Sequence, residues 1–310
     1  MDAFAAARLA IGTGFLALAA AGDLRSRRVR DPVWVVLGTV GLALLVVEIA
    51  TDSAGLDRYG LVAAAAILFY AIFYGKPLLE EDGLHLRPAR LGLFGLSAVL
   101  VVGTGLLAGS AGGSEPETWT ALLVLPVMVL VYQGFYQVGL FHGGADTKGL
   151  IALTLLVPLY PNAEPFPLLA IDPRVQGPIQ TLFPFSLAVL VNAAVLFLAV
   201  PLAYLLLNAV RGDLDFPQAL FGTRADLHAL PPHVWLMERI DRRGERVLVL
   251  FPRRGRDQKE EVDKLQAAGV TRAWVQPQVP FMVPLLGGFL LAFFVGNVLL
   301  GFLVAVMPRP

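Results

Sequence analysis

Asp23 and Asp146 each stand where a long apolar run gives way to a short basic one, in the settings Gly22-Asp23-Leu24-Arg25 and Gly143-Gly144-Ala145-Asp146-Thr147-Lys148. A carboxylate at a membrane boundary is costly enough to mark a functional site. Two carboxylates within a few ångströms of one another cannot both ionise cheaply, so such a pair shares a proton near neutral pH and titrates as a unit. One ionised and one protonated carboxyl are the base and the acid that add water to an amide: the anion takes a proton from water while the acid polarises the carbonyl. Either aspartate can take either role. Glycine just before each aspartate removes side-chain bulk and predicts close backbone approach there. Lys148 is expected to stabilise an anionic form or to pair with lipid phosphate, as support rather than as a base. Taken singly, each residue also has a plain reading. Asp23 is then an interfacial side chain paired with Arg27, Asp146 the N-cap of a helix starting near Thr147, and His142 an interfacial side chain.

Composition sets the elements that must position these groups. Apolar residues make up 56% of the 310, charged residues only 15%, and the mean hydropathy is +0.69, which describes an integral membrane protein rather than a soluble domain. With 24 basic and 24 acidic side chains, the charge balance gives no reason to expect nucleic acid as a partner. The absence of cysteine excludes disulfides, cysteine-ligated zinc and thiol nucleophiles. His85, His142, His228 and His233 lack the i, i+4 spacing of a helical zinc site, so neither a metal nor a cofactor is expected.

A bilayer core takes about 20 apolar residues per helix. Spans are read at 4–21, 33–50, 59–74, 91–107, 119–140, 182–210 and 281–306, with a shorter eighth segment at 149–160. The expected fold is an all-α polytopic membrane protein of about eight transmembrane helices, seven if the short segment does not cross. A small soluble α+β insertion precedes the last helix. The domain limits read 1–210 for the membrane core, 211–278 for the insertion and 279–310 for the terminal helix. Arg25, Arg27, Arg28 and Arg30, and then Lys76, Arg87 and Arg90, place their loops in the cytoplasm. Asp23 and the 143–148 segment share that face; if the short segment crosses, 211–278, with twelve basic residues, also returns inside and both termini lie outside. An alanine-rich end to the first span also resembles a signal cleavage site, but its flanking charge is inverted for one. Within the insertion, 234–240 and 246–251 read as a hairpin around Gly244, 257–268 as a helix closed by Gly269, and 271–275 as a third strand. The module is expected to dock substrate or to scaffold. The proline-rich stretch 161–178 reads as a loop outside the membrane.

The two aspartate segments resemble those of the type IV prepilin peptidases, membrane aspartic peptidases of the GxGD class, and within them the archaeal prepilin and preflagellin peptidases. Asp23-Leu24, Val29 and Asp31 fit the first family signature, with Arg30 where proline is usual. Gly143, Gly144, Asp146 and Lys148 follow the second, with Ala145 in place of its second glycine. Pro280-Phe281-Met282-Val283-Pro284 is similar to the entry into the last span of archaeal members with a soluble insertion. The resemblance implies that Asp23 and Asp146 are catalytic, with Gly143, Gly144 and Lys148 as supporting motif residues. It implies an enzyme that works without a cofactor in the plasma membrane. The partners implied are pilin-like or archaellin-like precursors and membrane lipid, the precursors losing a short basic leader on the cytoplasmic side. The acidic run Glu80-Glu81-Asp82 is placed to attract such a leader, or is simply a solvated loop. The competing reading is an ion- or proton-coupled transporter using the same aspartates, which requires carboxylates near the bilayer midplane and helices broken by Gly or Pro there. A third is cleavage of other single-span substrates deeper in the membrane.

Overall fold

The computed structural model describes residues 1–51, 55–73, 79–80, 83–84, 87–108, 116–141, 143–161, 163–169, 181–241, 243–250, 252 and 258–306. Two compact units form, one of Met1–Ala194 with Phe281–Pro310 and the other of Val195–Pro280. The chain is a polytopic helical membrane protein with a soluble insertion: by length and composition, six helical runs suffice to cross a membrane.

Five of them come in order from the N-terminus: α1 (Ala3–Ser26), α2 (Asp31–Thr51), α3 (Leu56–Phe73), α4 (Pro88–Ala108) and α5 (Pro116–Gln137). A two-residue hairpin, β1 (Leu79–Glu80) with β2 (Gly83–Leu84), lies between α3 and α4. Next come α6 (Gly144–Leu156) and α7 (Phe185–Phe197), the latter running on past Leu198 into α8 (Ala199–Arg211) as the sixth long run. Asp2 starts α1 by accepting the Ala5 N–H at 2.6 Å, and Arg27 ends it in a left-handed conformation, φ 54°.

At thirteen residues α6 is only about 20 Å long, short for a bilayer core of about 30 Å. It begins five residues before the expected 149–160 segment. Its company explains why it needs no greater apolar length: nine of its thirteen residues are buried, so it packs against protein. Glycines set the register around it. A methyl group on Gly41 of α2 would come within 2.6 Å of the Leu156 backbone, and one on Gly12 of α1 would overlap Phe289 and meet Leu156. Trp34 near the start of α2 lies over Gly149 near the start of α6. Helices α2 and α6 therefore run parallel, with α1 antiparallel to both. Arg8 of α1 and Glu48 of α2 form a two-pronged ion pair toward the opposite end from Asp23. Arg8 is only 4% exposed, and the pairing with Glu48 offsets part of the cost of burying it.

The expected continuous last span is broken in two, giving α10 (Met282–Phe294) and α11 (Val298–Val306). Gly296, at φ +97°, turns the chain between them. Fully buried Asn192 of α7 stabilises the break by donating to the Gly296 carbonyl at 2.8 Å and accepting the Val298 N–H at 3.1 Å. The N–H groups of Leu168 and Leu169, from the expected proline-rich loop, take the carbonyls of Phe294 and Val295, each at 3.0 Å. No carboxylate lies among these partners.

In the second unit α8 leads through a short 3-10 turn at Gln218–Leu220 to β3 (Thr223–Asp226), β4 (Val234–Leu236), β5 (Glu238–Ile240), β6 (Arg246–Leu248), α9 (Gln258–Ala267) and β7 (Arg272–Pro277). The antiparallel order β3-β7-β4 makes one sheet and β5-β6 a separate ribbon. The single hairpin read from sequence is thus divided. Its first strand splits at buried Met237, one half joining β7 and the other β6, and β3 was not foreseen. The turn itself matches expectation: Asp241 accepts the N–H groups of Arg243 and Glu245, and Gly244 takes φ +80°. Gly269 likewise closes α9 at φ +76°.

Candidate active site

Asp23 sits in the last turn of α1, on one stripe with Gly12, Leu16 and Ala19, of which Leu16 and Ala19 are fully buried. Its half-buried carboxylate does not pair with Arg27 as read from sequence. Arg27 Nη1 instead donates to the backbone carbonyl of Asp23 at 3.4 Å. The carboxylate is claimed from another direction, with Oδ2 accepting the N–H of Met282, the first residue of α10, at 3.2 Å. The first N–H groups of a helix have no partner within it, and its N-terminus carries a partial positive charge, so a carboxylate is well received there.

Asp146 lies in the first turn of α6, which corrects the reading of it as an N-cap. The helix starts at Gly144, and Gly143 is the cap residue, without a side-chain hydrogen bond. The Asp146 N–H closes the turn onto the Gly143 carbonyl at 3.2 Å. Its carboxyl group folds back over the Gly143 Cα, so that any Cβ at position 143 would overlap Oδ2. The glycine requirement is therefore local. Close approach between segments, expected at the glycines beside both aspartates, does not occur at the other two. A methyl on Gly22 would find its nearest neighbour at 3.5 Å, and one on Gly144 would find Tyr136 at 3.7 Å. Both are ordinary contact distances.

Lys148 has a defined protein partner: its Nζ donates to Asp31 Oδ1 at 2.6 Å and lies 5.2 Å from the centre of the Phe73 ring. Both side chains of this ion pair are partly exposed, so the pair itself contributes little to stability. Its value is geometric. Asp31 begins α2 just past the link from Asp23, and Lys148 is two residues beyond Asp146, so the pair ties the two aspartate-bearing segments together. Depth agrees. From the contact of Gly12 with Leu156, Asp23 lies about 16 Å along α1 and Asp146 about 15 Å back along antiparallel α6. Leu150 and Leu153, on the Asp146 stripe, are fully buried. Thr147, next to Asp146, is also buried, and its hydroxyl makes no hydrogen bond among the described residues.

Sequence reasoning missed two partners, the Met282 N–H and Asp31. The signal for the first was the proline-flanked segment Pro280–Pro284, since proline is common in a first helical turn. The signal for the second was an acidic residue opening α2 in the same motif as Asp23. His142, Glu81 and Asp82 lie outside the described residues, and of Glu80 only the backbone is described.

Residues 215–298 match the family model described as Archaeal Peptidase A24 C-terminus Type II. The match spans most of the second unit and all of α10, including Met282, and does not include Asp23 or Asp146. No curated protein matches the chain. That match covers 84 of the 310 residues, and over them the chain is similar to the archaeal A24-family peptidases.

Proposed function

We propose that this chain is a membrane aspartic endopeptidase that removes the short basic leader of pilin-like or archaellin-like precursors at the cytoplasmic membrane boundary, with Asp23 and Asp146 as its dyad. The observation that supports the reading most is the Asp31–Lys148 ion pair, which joins the two aspartate-bearing segments at one end of the helix packet. One carboxylate takes a proton from water as the water oxygen attacks the scissile carbonyl. The other, protonated, donates to the carbonyl oxygen and yields a tetrahedral gem-diol. Return of a proton to the amide nitrogen then breaks the C–N bond. The chemistry suits a precursor whose basic leader stays in water while its apolar helix stays in lipid, because the scissile bond then lies at the depth of the two carboxylates. The soluble unit has no part in the bond-breaking step and is read as a docking or scaffolding module.

The test is cleavage of a co-expressed precursor with a basic leader by wild type, Asp23→Asn and Asp146→Asn, read as a mobility shift. Wild type is expected to release the leader, and each asparagine variant to lose activity by about 10²-fold or more while remaining inserted. Substantial cleavage by either single variant would sink the dyad.

A further inference from the structure

We infer that the backbone N–H of Met282 is a positioning group for Asp23, holding Oδ2 and leaving Oδ1 as the oxygen that faces water. The inference rests on the dyad reading above. Of the donors that open α10, Pro284 supplies none, and the Met282 N–H is the one that meets the carboxylate, at 3.2 Å. Among the described residues Oδ1 accepts no hydrogen bond, so the two oxygens of Asp23 are unequal before any substrate arrives.

The donor belongs to a helix with little freedom to shift. A methyl group on Gly288 of α10 would come within 2.5 Å of the Val189 carbonyl and 2.6 Å of the Ala193 nitrogen in α7, so the two backbones are in direct contact. Phe289 covers Gly12 of α1, on the same stripe as Asp23. Asn192 fixes the chain just past the far end of α10. A carboxylate bonded to so fixed a point cannot turn freely about its last bond, and alignment of the base with the attacking water is where a small error is costly. The Met282 side chain, although buried, is not what touches Asp23. The contact is made by the main chain.

The structural alternative is that Asp23 merely caps α10. Two substitutions separate the ideas. Met282→Ala keeps the N–H. Met282→Pro removes it at the first helical position, where proline is best tolerated. With purified protein and a pilin-like precursor, Met282→Pro is expected to lower kcat at least about tenfold with KM within about twofold of wild type, whereas Met282→Ala keeps most of kcat. Wild-type kcat in the proline variant overturns the inference, and so does an equal loss in the alanine variant. Should the proline variant fail to insert, replacing the Met282 amide by an ester removes the donor alone and is read in the same way. A wild type that cleaves nothing, or an active Asp23→Asn, overturns the dyad and this inference with it. An inactive Asp23→Asn beside a normal proline variant overturns this inference only.

Discussion

Gly143 and Gly144 are adjacent and chemically identical, yet only the first has no room for a side chain. A methyl at 143 meets the Asp146 carboxyl, whereas one at 144 reaches Tyr136 at contact distance. Gly143→Ala is therefore expected to cut precursor cleavage by about tenfold or more by displacing the Asp146 carboxyl, with thermal stability little changed. Gly144→Ala should stay within about twofold of wild type, as substitutions without steric conflict usually do. Equal losses in the two variants would mean that the glycines serve backbone freedom rather than space for Asp146. Lys148 gives a second test at this scale. Lys148→Ala and Asp31→Asn should each weaken cleavage a few-fold, and the double variant should be no worse than the singles, because both remove one interaction. Additive losses would show that the two residues act separately.

Between elements, the structure depends on contacts that hydropathy does not encode. The apolar runs α1 to α5 were legible because each needs about the same length of apolar sequence, and the soluble hairpin turn and the close of α9 because Asp241, Gly244 and Gly269 have local conformational preferences. The break in the last span was not legible. Its causes, Asn192 and the N–H groups of Leu168 and Leu169, are distant in sequence from Gly296 and satisfy the freed backbone groups through space. Strand β4 likewise left its expected partner because β7 offered Val275 to Pro277 for pairing. For the candidate site the aspartates and the motif glycines and lysine were visible from residue type and setting, while their partners were not, since an N–H at position 282 bonded to position 23 leaves no local trace. Asn192→Leu tests the break. It strips partners from the Gly296 carbonyl and the Val298 N–H in apolar surroundings, where each unmade bond costs about 1–3 kcal/mol. A clear drop in the melting temperature of the detergent-solubilised protein is expected. An unchanged melting temperature would mean that the break is held by the 168–169 segment alone.

For the whole molecule, side of the membrane decides whether the proposed chemistry meets its substrate, and the chain offers its own means of finding out. It contains no cysteine, so a single introduced thiol reports its position without background. Helix α2 separates the arginine-rich link after Asp23 from Leu56, which is 81% exposed at the start of α3. One crossing therefore puts Arg28 and Leu56 on opposite sides. Basic residues near span ends are retained in the cytoplasm, so Arg28, and with it the end of the packet carrying both aspartates, is expected on the inside. If the count is eight spans, the chain is expected to return inside after Arg211, and a label at Glu245 in the β5–β6 turn is then expected to report the same side as Arg28. Arg28→Cys and Glu245→Cys should resist a membrane-impermeant maleimide in intact cells and react in inside-out vesicles, while Leu56→Cys should do the reverse. If Arg28→Cys reacted from outside, the aspartates would face away from newly made precursors, and leader removal at the cytoplasmic boundary would be impossible for this chain. If Arg28→Cys and Glu245→Cys reacted from opposite sides, the short helix α6 would not complete a crossing, and seven spans would replace eight.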